Sequence, residues 1–277
     1  MKKRELRASD IKAYEAKLQR EERAAATVEK YIHDVRAFAA WLGERPIDKE
    51  RTAAWKTALL SEGLSAATVN VRLAALNGLL RFLGWEDCRV KFLKVQHRAF
   101  RDAGRELTRA EYRRLLDHAD SGSSLLLETI CSAGIRVSEL RCITVEAARA
   151  GRADVALKGK IRTILLPEKL CRRLLKYAKK QKTASGAIFR GKDGRALSRF
   201  QVWKLMKMLA KKAGIASKKV FPHNLRHLFA VTFYQATRDV VRLADVLGHS
   251  SVNTTRIYLL TTGEEHARAI EQLGLLS

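Results

Sequence analysis

Between Phe221 and Tyr258 the apolar residues are spaced so that two short helices joined by turns bury them best. Leu225, Leu228, Phe229, Thr232, Phe233 and Ala236 recur at the interval of one helix face. Asn224, a good N-cap, predicts a helix that starts just after it. Asp239 caps a second helix through Val240, Leu243, Ala244 and Leu247, and Gly248 supplies the residue that ends it. A short segment from Val252 to Leu260 follows and carries Tyr258. Three of the seven histidines, His223, His227 and His249, fall in this stretch beside Arg226 and Arg256. His223 and Arg226 flank a helix N-terminus, where unpaired N–H groups and the dipole favour an anion. Imidazoles, guanidiniums and a phenol at turns and helix ends point to a phosphate site with a nucleophile in it.

The charge of the chain agrees. Lys and Arg number 54 against 29 Asp and Glu, a net +25 over 277 residues, which selects a polyanion, most simply nucleic acid. Residues 1–100 hold 20 basic and 13 acidic side chains, +7, and the remainder 34 and 16, +18, so the field is strongest where the phosphate site lies. No apolar run spans a bilayer, and Met1-Lys2-Lys3-Arg4 leads into charged sequence, so a cytoplasmic protein without membrane contact is expected. Cys88, Cys131, Cys142 and Cys171 form no C-x-x-C pair and read as reduced packing residues. With no zinc spacing, no Walker loop and no carboxylate cluster for magnesium, neither a metal nor any other cofactor is expected.

Residues 1–96 read as an all-helical domain. Helices are expected around Ile11 to Arg20 and Arg51 to Leu60, with longer ones opening at Thr27-Val28 and Thr68-Val69 and ending at Gly43 and Gly84. Ala-Ala-Thr-Val opens both long ones, through duplication or through shared helix-start chemistry. Residues 97–106, with His97, Arg98, Arg101 and Arg105, form a basic linker. The second domain, 107–277, opens on a capping box at Thr108-Arg109-Ala110-Glu111. A buried helix is expected from Ser123 to Ser132, then a turn at Gly134. Arg136, set between Ile135 and Val137, invites burial and an anionic partner; Glu139 could form a merely structural pair, but with Arg226 downstream a phosphate is the expected partner and Glu139 a neighbour that orients the arginine. Asp154 to Leu157 and Ile161 to Leu166 alternate as strands around a Lys158-Gly159-Lys160 tip. Basic helices follow over Leu170–Lys182 and Phe200–Ala213, the second carrying Lys204 and suited to phosphate-backbone contact. The segment from 263 ends in Ile270, Leu273, Leu275 and Leu276, too apolar for a free tail. The fold class expected is mainly α with a small β-hairpin, a helical domain preceding an α+β one.

The run His223-Asn224-Leu225-Arg226-His227, then Leu247-Gly248-His249, then Tyr258 nine positions on, resembles the tyrosine recombinase/integrase family. Ala133-Gly134-Ile135-Arg136-Val137-Ser138-Glu139-Leu140 is similar to that family's first-arginine motif. The resemblance covers nearly the whole chain, in the form of a compact recombinase with a SAM-like core-binding domain before the catalytic one. It implies a catalytic set of Arg136, Lys158, His223, Arg226, His249 and Tyr258. It implies DNA contacts as well, for which Arg98, Arg101, Lys160, Lys204 and Arg256 are the candidates. The hairpin turn is shorter than the family's commoner pattern, so the acid is Lys158 or Lys160.

What the resemblance implies is site-specific cutting and rejoining of double-stranded DNA through a 3′-phosphotyrosine. Arg136 and Arg226 would neutralise the phosphoryl oxygens, His223 would serve as base, His249 as a hydrogen-bond donor and the lysine as general acid. A monomer in solution would assemble into a tetramer on two DNA sites through the segment from 263. A type IB topoisomerase shares the chemistry, but the compact length and apolar C-terminal segment disfavour it. A non-catalytic helix-turn-helix regulator would fit the charge and the Leu243–Tyr258 pattern.

Overall fold

Amphipathic segments separated by capping and turn residues give the first part of the chain four helices. These are α1 (Ala8–Arg20), α2 (Ala25–Leu42), α3 (Lys49–Ser61) and α4 (Ala66–Phe82). The computed structural model describes residues 4–95, 103–157, 160–249, 251–255, 258 and 271. Its two compact units are Met1–His97 and Arg98–Ser277. In the first unit, Phe38, Trp55, Leu59, Leu73, Leu76 and Leu80 form the main core, with the Phe38 and Trp55 rings edge-on at 5.1 Å. Both Ala-Ala-Thr-Val runs lie inside first helical turns, so α2 and α4 start two residues before the expected Thr-Val. Asn70 and Asn77, two turns apart on α4, each exchange a pair of hydrogen bonds with the backbone of Leu93 and Val90 (2.8–3.0 Å). These side-chain amides satisfy an extended segment that has no strand partner of its own.

The second unit opens with α5 (Arg109–Asp117), closed by the expected capping box between Thr108 and Glu111. Helix α6 (Ser121–Ala133) follows; Leu125, Leu126, Leu127 and Ile130 bury its several faces, which makes it the central element of the core. Then come α7 (Val145–Ala150), strands β1 (Arg152–Leu157) and β2 (Lys160–Leu165), α8 (Glu168–Lys180), α9 (Arg199–Lys212), α10 (Pro222–Thr237), α11 (Val240–Leu247) and α12 (Val252–Thr255). The protein is mainly α, with one two-stranded antiparallel sheet among the described residues. No described helix is long and apolar enough to cross a membrane. The four cysteines are free, two of them buried.

Two expected boundaries move. Lys160 pairs with Leu157 as a strand residue instead of forming part of the tip. A two-residue connection matches the right-handed twist of paired strands better than a three-residue one. Helix α10 begins at Pro222, not after Asn224, because proline's fixed φ and missing N–H suit the first helical position. Asn224 is then an interior residue whose amide donates to the carbonyls of Arg105 (2.6 Å) and Lys219 (2.8 Å).

Candidate active site

Helix α6 ends at Gly134, left-handed at φ 58°. A Cβ there would sit 2.4 Å from the Phe229 ring of α10, so glycine serves both the turn and the close approach. Ile135 is buried next, and the 3-10 turn Val137–Cys142 sends Arg136 the other way. The backbone N–H of Arg136 donates to Glu139 Oε2 (2.7 Å) and its Nη1 to Glu139 Oε1 (2.9 Å). The expected burial of Arg136 is corrected: its side chain is 39% exposed, while that of Glu139 is 1% exposed. The turn buries the carboxylate and uses it to aim a guanidinium outward.

The buried guanidinium is Arg226, only 2% exposed, on the first turns of α10. Nη1 donates to the carbonyl of Gly134 (2.6 Å) and Nη2 to that of Leu247 (2.7 Å). These are carbonyls at the ends of α6 and α11, where the helix dipoles are negative and helical N–H partners run out. Tyr258 lies close enough to Arg226 to favour its charged form. Burial, then the neighbouring charges of Arg136 and Arg162, lower its pKa to about 10, which leaves it charged at neutral pH.

Gly248 (φ 63°) ends α11 as expected and turns the chain into His249. Arg226 Nη2 lies 3.1 Å from His249 Nε2. A guanidinium only donates, so Nε2 accepts and Nδ1 carries the proton, directed at Thr255 Oγ1 2.8 Å away. Burial, reinforced by Arg226, Arg136 and Arg162, pushes the imidazole down to about 4. Burial and the charges of Arg226 and Arg136 likewise hold His223 below its ordinary value.

Tyr258, 2% exposed, packs on Ala230, Leu243 and Leu247. Three imidazoles surround its ring: His223 at 6.4 Å, His249 at 6.1 Å and His227 edge-on at 5.1 Å, centroid to centroid. A helix-turn-helix tyrosine that only touched backbone would have no such company. Arg136, His223, Arg226, His249 and Tyr258 are thus brought to one place by the end of α6, the start of α10, the end of α11 and the segment after α12.

Lys158, Arg98, Arg101 and Arg256 lie outside the described residues, as does the segment from 263 apart from Glu271. The backbone of Lys160 is in β2, and its side chain is outside the description. Lys204 is exposed on α9, close in sequence to Phe200 and Trp203, whose rings stack at 6.1 Å. Sequence reasoning missed Thr255, fully buried behind His249, and Arg162, on β2. A period-2 reading of the strand was the available signal for Arg162, since it puts Arg162 on the face of buried Ile164.

The depressed imidazole has a consequence for stability. The unfolded chain binds this proton near 6.5, the folded one only near 4. The neutral form's contribution to stability is therefore complete above about 6.5 and is lost progressively as pH falls toward 4; His223 acts with the same sign. The unfolding midpoint should drop across this window, and His249→Gln should flatten the drop. An identical slope in the variant would assign the titration to other groups.

A family model described as phage integrase family matches residues 105–265, and one described as phage integrase, N-terminal SAM-like domain, matches residues 11–87. Tyrosine recombinase XerA of Thermococcus kodakarensis is 29% identical over 280 residues, covering 96% of this chain and 95% of the relative. Tyrosine recombinase XerD of Caulobacter vibrioides is 32% identical over 279 residues, covering 90% and 91%. Among solved structures, a lambda integrase dimer bound to a COC′ core site shares the fold at a TM-score of 0.75 and 20% identity, covering 92% of this chain and 95% of that one.

Proposed function

We propose, on the premise that this chain belongs to the phage integrase family and is a tyrosine site-specific recombinase, that Tyr258 cuts DNA by forming a 3′-phosphotyrosine with it. The observation that carries this reading is the burial of Tyr258 within a ring of imidazoles, near Arg226 and beside the outward-aimed Arg136.

A phosphodiester repels nucleophiles by its charge and leaves as a strongly basic alkoxide, so positioned positive charge and proton transfer dominate the catalysis. The Tyr258 oxygen attacks phosphorus while His223, held neutral, takes the phenol proton. The P–O5′ bond breaks, and the departing oxygen takes a proton from a hairpin lysine, Lys158 in the first instance and Lys160 in the second. Arg136 and Arg226 stabilise the non-bridging oxygens, suited to it by permanent charge and bidentate geometry. As phosphate enters, its charge favours protonation of His249, which turns the Nε2 acceptor of the free state into a donor. Attack by the 5′ hydroxyl of another strand reverses these steps, and the phosphotyrosine bond conserves the energy for resealing.

The exposed lysines Lys204 and Lys211 on α9 would hold the DNA backbone, and exchange between two DNA sites would involve a tetramer joined through the segment from 263. The test is to incubate the protein with sheared genomic DNA, denature it, and sequence the DNA ends that stay attached. A recurrent sequence at the attached ends is the expected result. Binding without any attached DNA would contradict the reading.

A further inference from the structure

Arg136 and Arg226 are not the only guanidiniums at this site. Arg162 pairs with Val155 in the hairpin, and its side chain is 12% exposed. Nη1 donates to the Leu247 carbonyl at 2.5 Å and meets Glu139 Oε1 at 3.5 Å. Both acceptors are shared. Leu247 also accepts from Arg226, and Glu139 Oε1 also accepts from Arg136. Arg162 therefore has one acceptor in common with each of the two arginines assigned to the phosphate. Its Cδ also fills the space of a Cβ at Gly248, which would lie 2.3 Å from it, so the left-handed residue before His249 is moulded to this side chain.

A latch between hairpin and helix does not need a guanidinium. An apolar side chain of similar length would fill the space without isolating polar hydrogens from water. Arg162 instead keeps Nε and Nη2 buried with no hydrogen-bond partner among the described residues. Arg136 and Arg162 share one buried carboxylate, Glu139, and Arg226 lies near enough to both for their charges to lower its pKa. An excess of positive charge of this kind is unfavourable in the free protein and favourable once an anion occupies the site.

We propose that Arg162 is a positioning residue of the recombination reaction, fixing the Leu247–His249 turn against Glu139 so that Arg136, Arg226 and His249 meet at one phosphate. The proposal rests on the reading of Tyr258 chemistry given above. The groups facing His249 are Arg226 and His223 from α10, Arg136 from the turn after α6, Arg162 from β2, Thr255 from α12, and Tyr258. Removing the charge of Arg162 therefore changes the titration of His249 as well as its placement.

The experiment compares full-length Arg162→Met and Arg162→Lys with the wild type on DNA carrying the trapped sequence. Two readouts are taken: single-turnover adduct formation at saturating DNA across acid to neutral pH, and the His249 titration in the DNA-free protein followed by NMR. Arg162→Met should slow adduct formation about 10–100-fold with little change in DNA affinity. It should also raise the His249 pKa and move the acid limb of the rate profile upward. Arg162→Lys keeps the charge but is shorter, so its ammonium falls short of the place where Nη1 meets both Leu247 and Glu139; it should leave the His249 titration in place and still react slowly. Wild-type rate and wild-type His249 titration in Arg162→Met would overturn the proposal. So would a loss of rate explained wholly by the fraction unfolded, with no change in titration in either variant. The NMR readout separates the two levels of the argument. If the wild type forms no adduct, the Tyr258 reading fails and the positioning role falls with it, even where the titration moves as expected.

Discussion

Tyr258→Phe should bind its DNA site as the wild type does and form no covalent adduct with it. The substitution removes one oxygen and leaves every basic side chain in place. Arg226 loses its contact with the phenol but keeps the carbonyls of Gly134 and Leu247, so the fold should lose only about 1 kcal/mol. The chemical step loses its nucleophile, a defect on the order of 10⁴-fold or more. Gel shift and denaturing gel on the same DNA separate the two effects. An adduct formed by the variant at a rate near the wild type's would mean that another residue attacks.

The second large effect concerns the general acid. Lys158→Ala should slow cleavage of ordinary DNA by roughly 10²–10⁴-fold, because the 5′ oxygen leaves as a strong base. A sulfur in that bridging position leaves as a much weaker base, so the same variant should cleave the sulfur-bridged substrate at close to the wild-type rate. Arg136→Ala should not recover, since its guanidinium stabilises non-bridging oxygens whatever group departs. Recovery in Lys160→Ala with normal cleavage by Lys158→Ala would move the role across the hairpin. Lys160 is a strand residue opposite Leu157 and not a second tip residue. Recovery in neither variant would end the lysine assignment.

The sequence was most legible where local chemistry decides the outcome. The box at Thr108 and Glu111, the Asp239 cap and the Gly248 stop all depend on side-chain hydrogen bonds or φ values that the residue types themselves prescribe. It was less legible where two local signals compete. Asn224 is a good cap, yet Pro222 two residues earlier suits a first turn better, and the amide of Asn224 was free to bind two carbonyls instead. Arg136 between two apolar residues suggested burial, but a 3-10 turn lets Ile135 go inward while the arginine goes out. Tertiary partners were the least legible. Nothing near Arg226 in sequence says that its donors reach the ends of α6 and α11, and nothing near Arg162 reveals Glu139 or Leu247. Only the strand period carried a trace of it, by placing an arginine on the side of Ile164 and leaving Leu165, 74% exposed, on the other.

The covalent bond itself is the most direct test. Adduct trapped from the wild-type protein is digested with protease and nuclease, and mass spectrometry identifies the modified peptide and the nucleotide it retains. The account predicts a single modified residue, Tyr258, bearing a nucleotide through its 3′ phosphate, with a free 5′ hydroxyl on the other DNA fragment. A 5′-phosphate linkage, or a nucleotide carried by Tyr234 or by a serine instead of Tyr258, would contradict it.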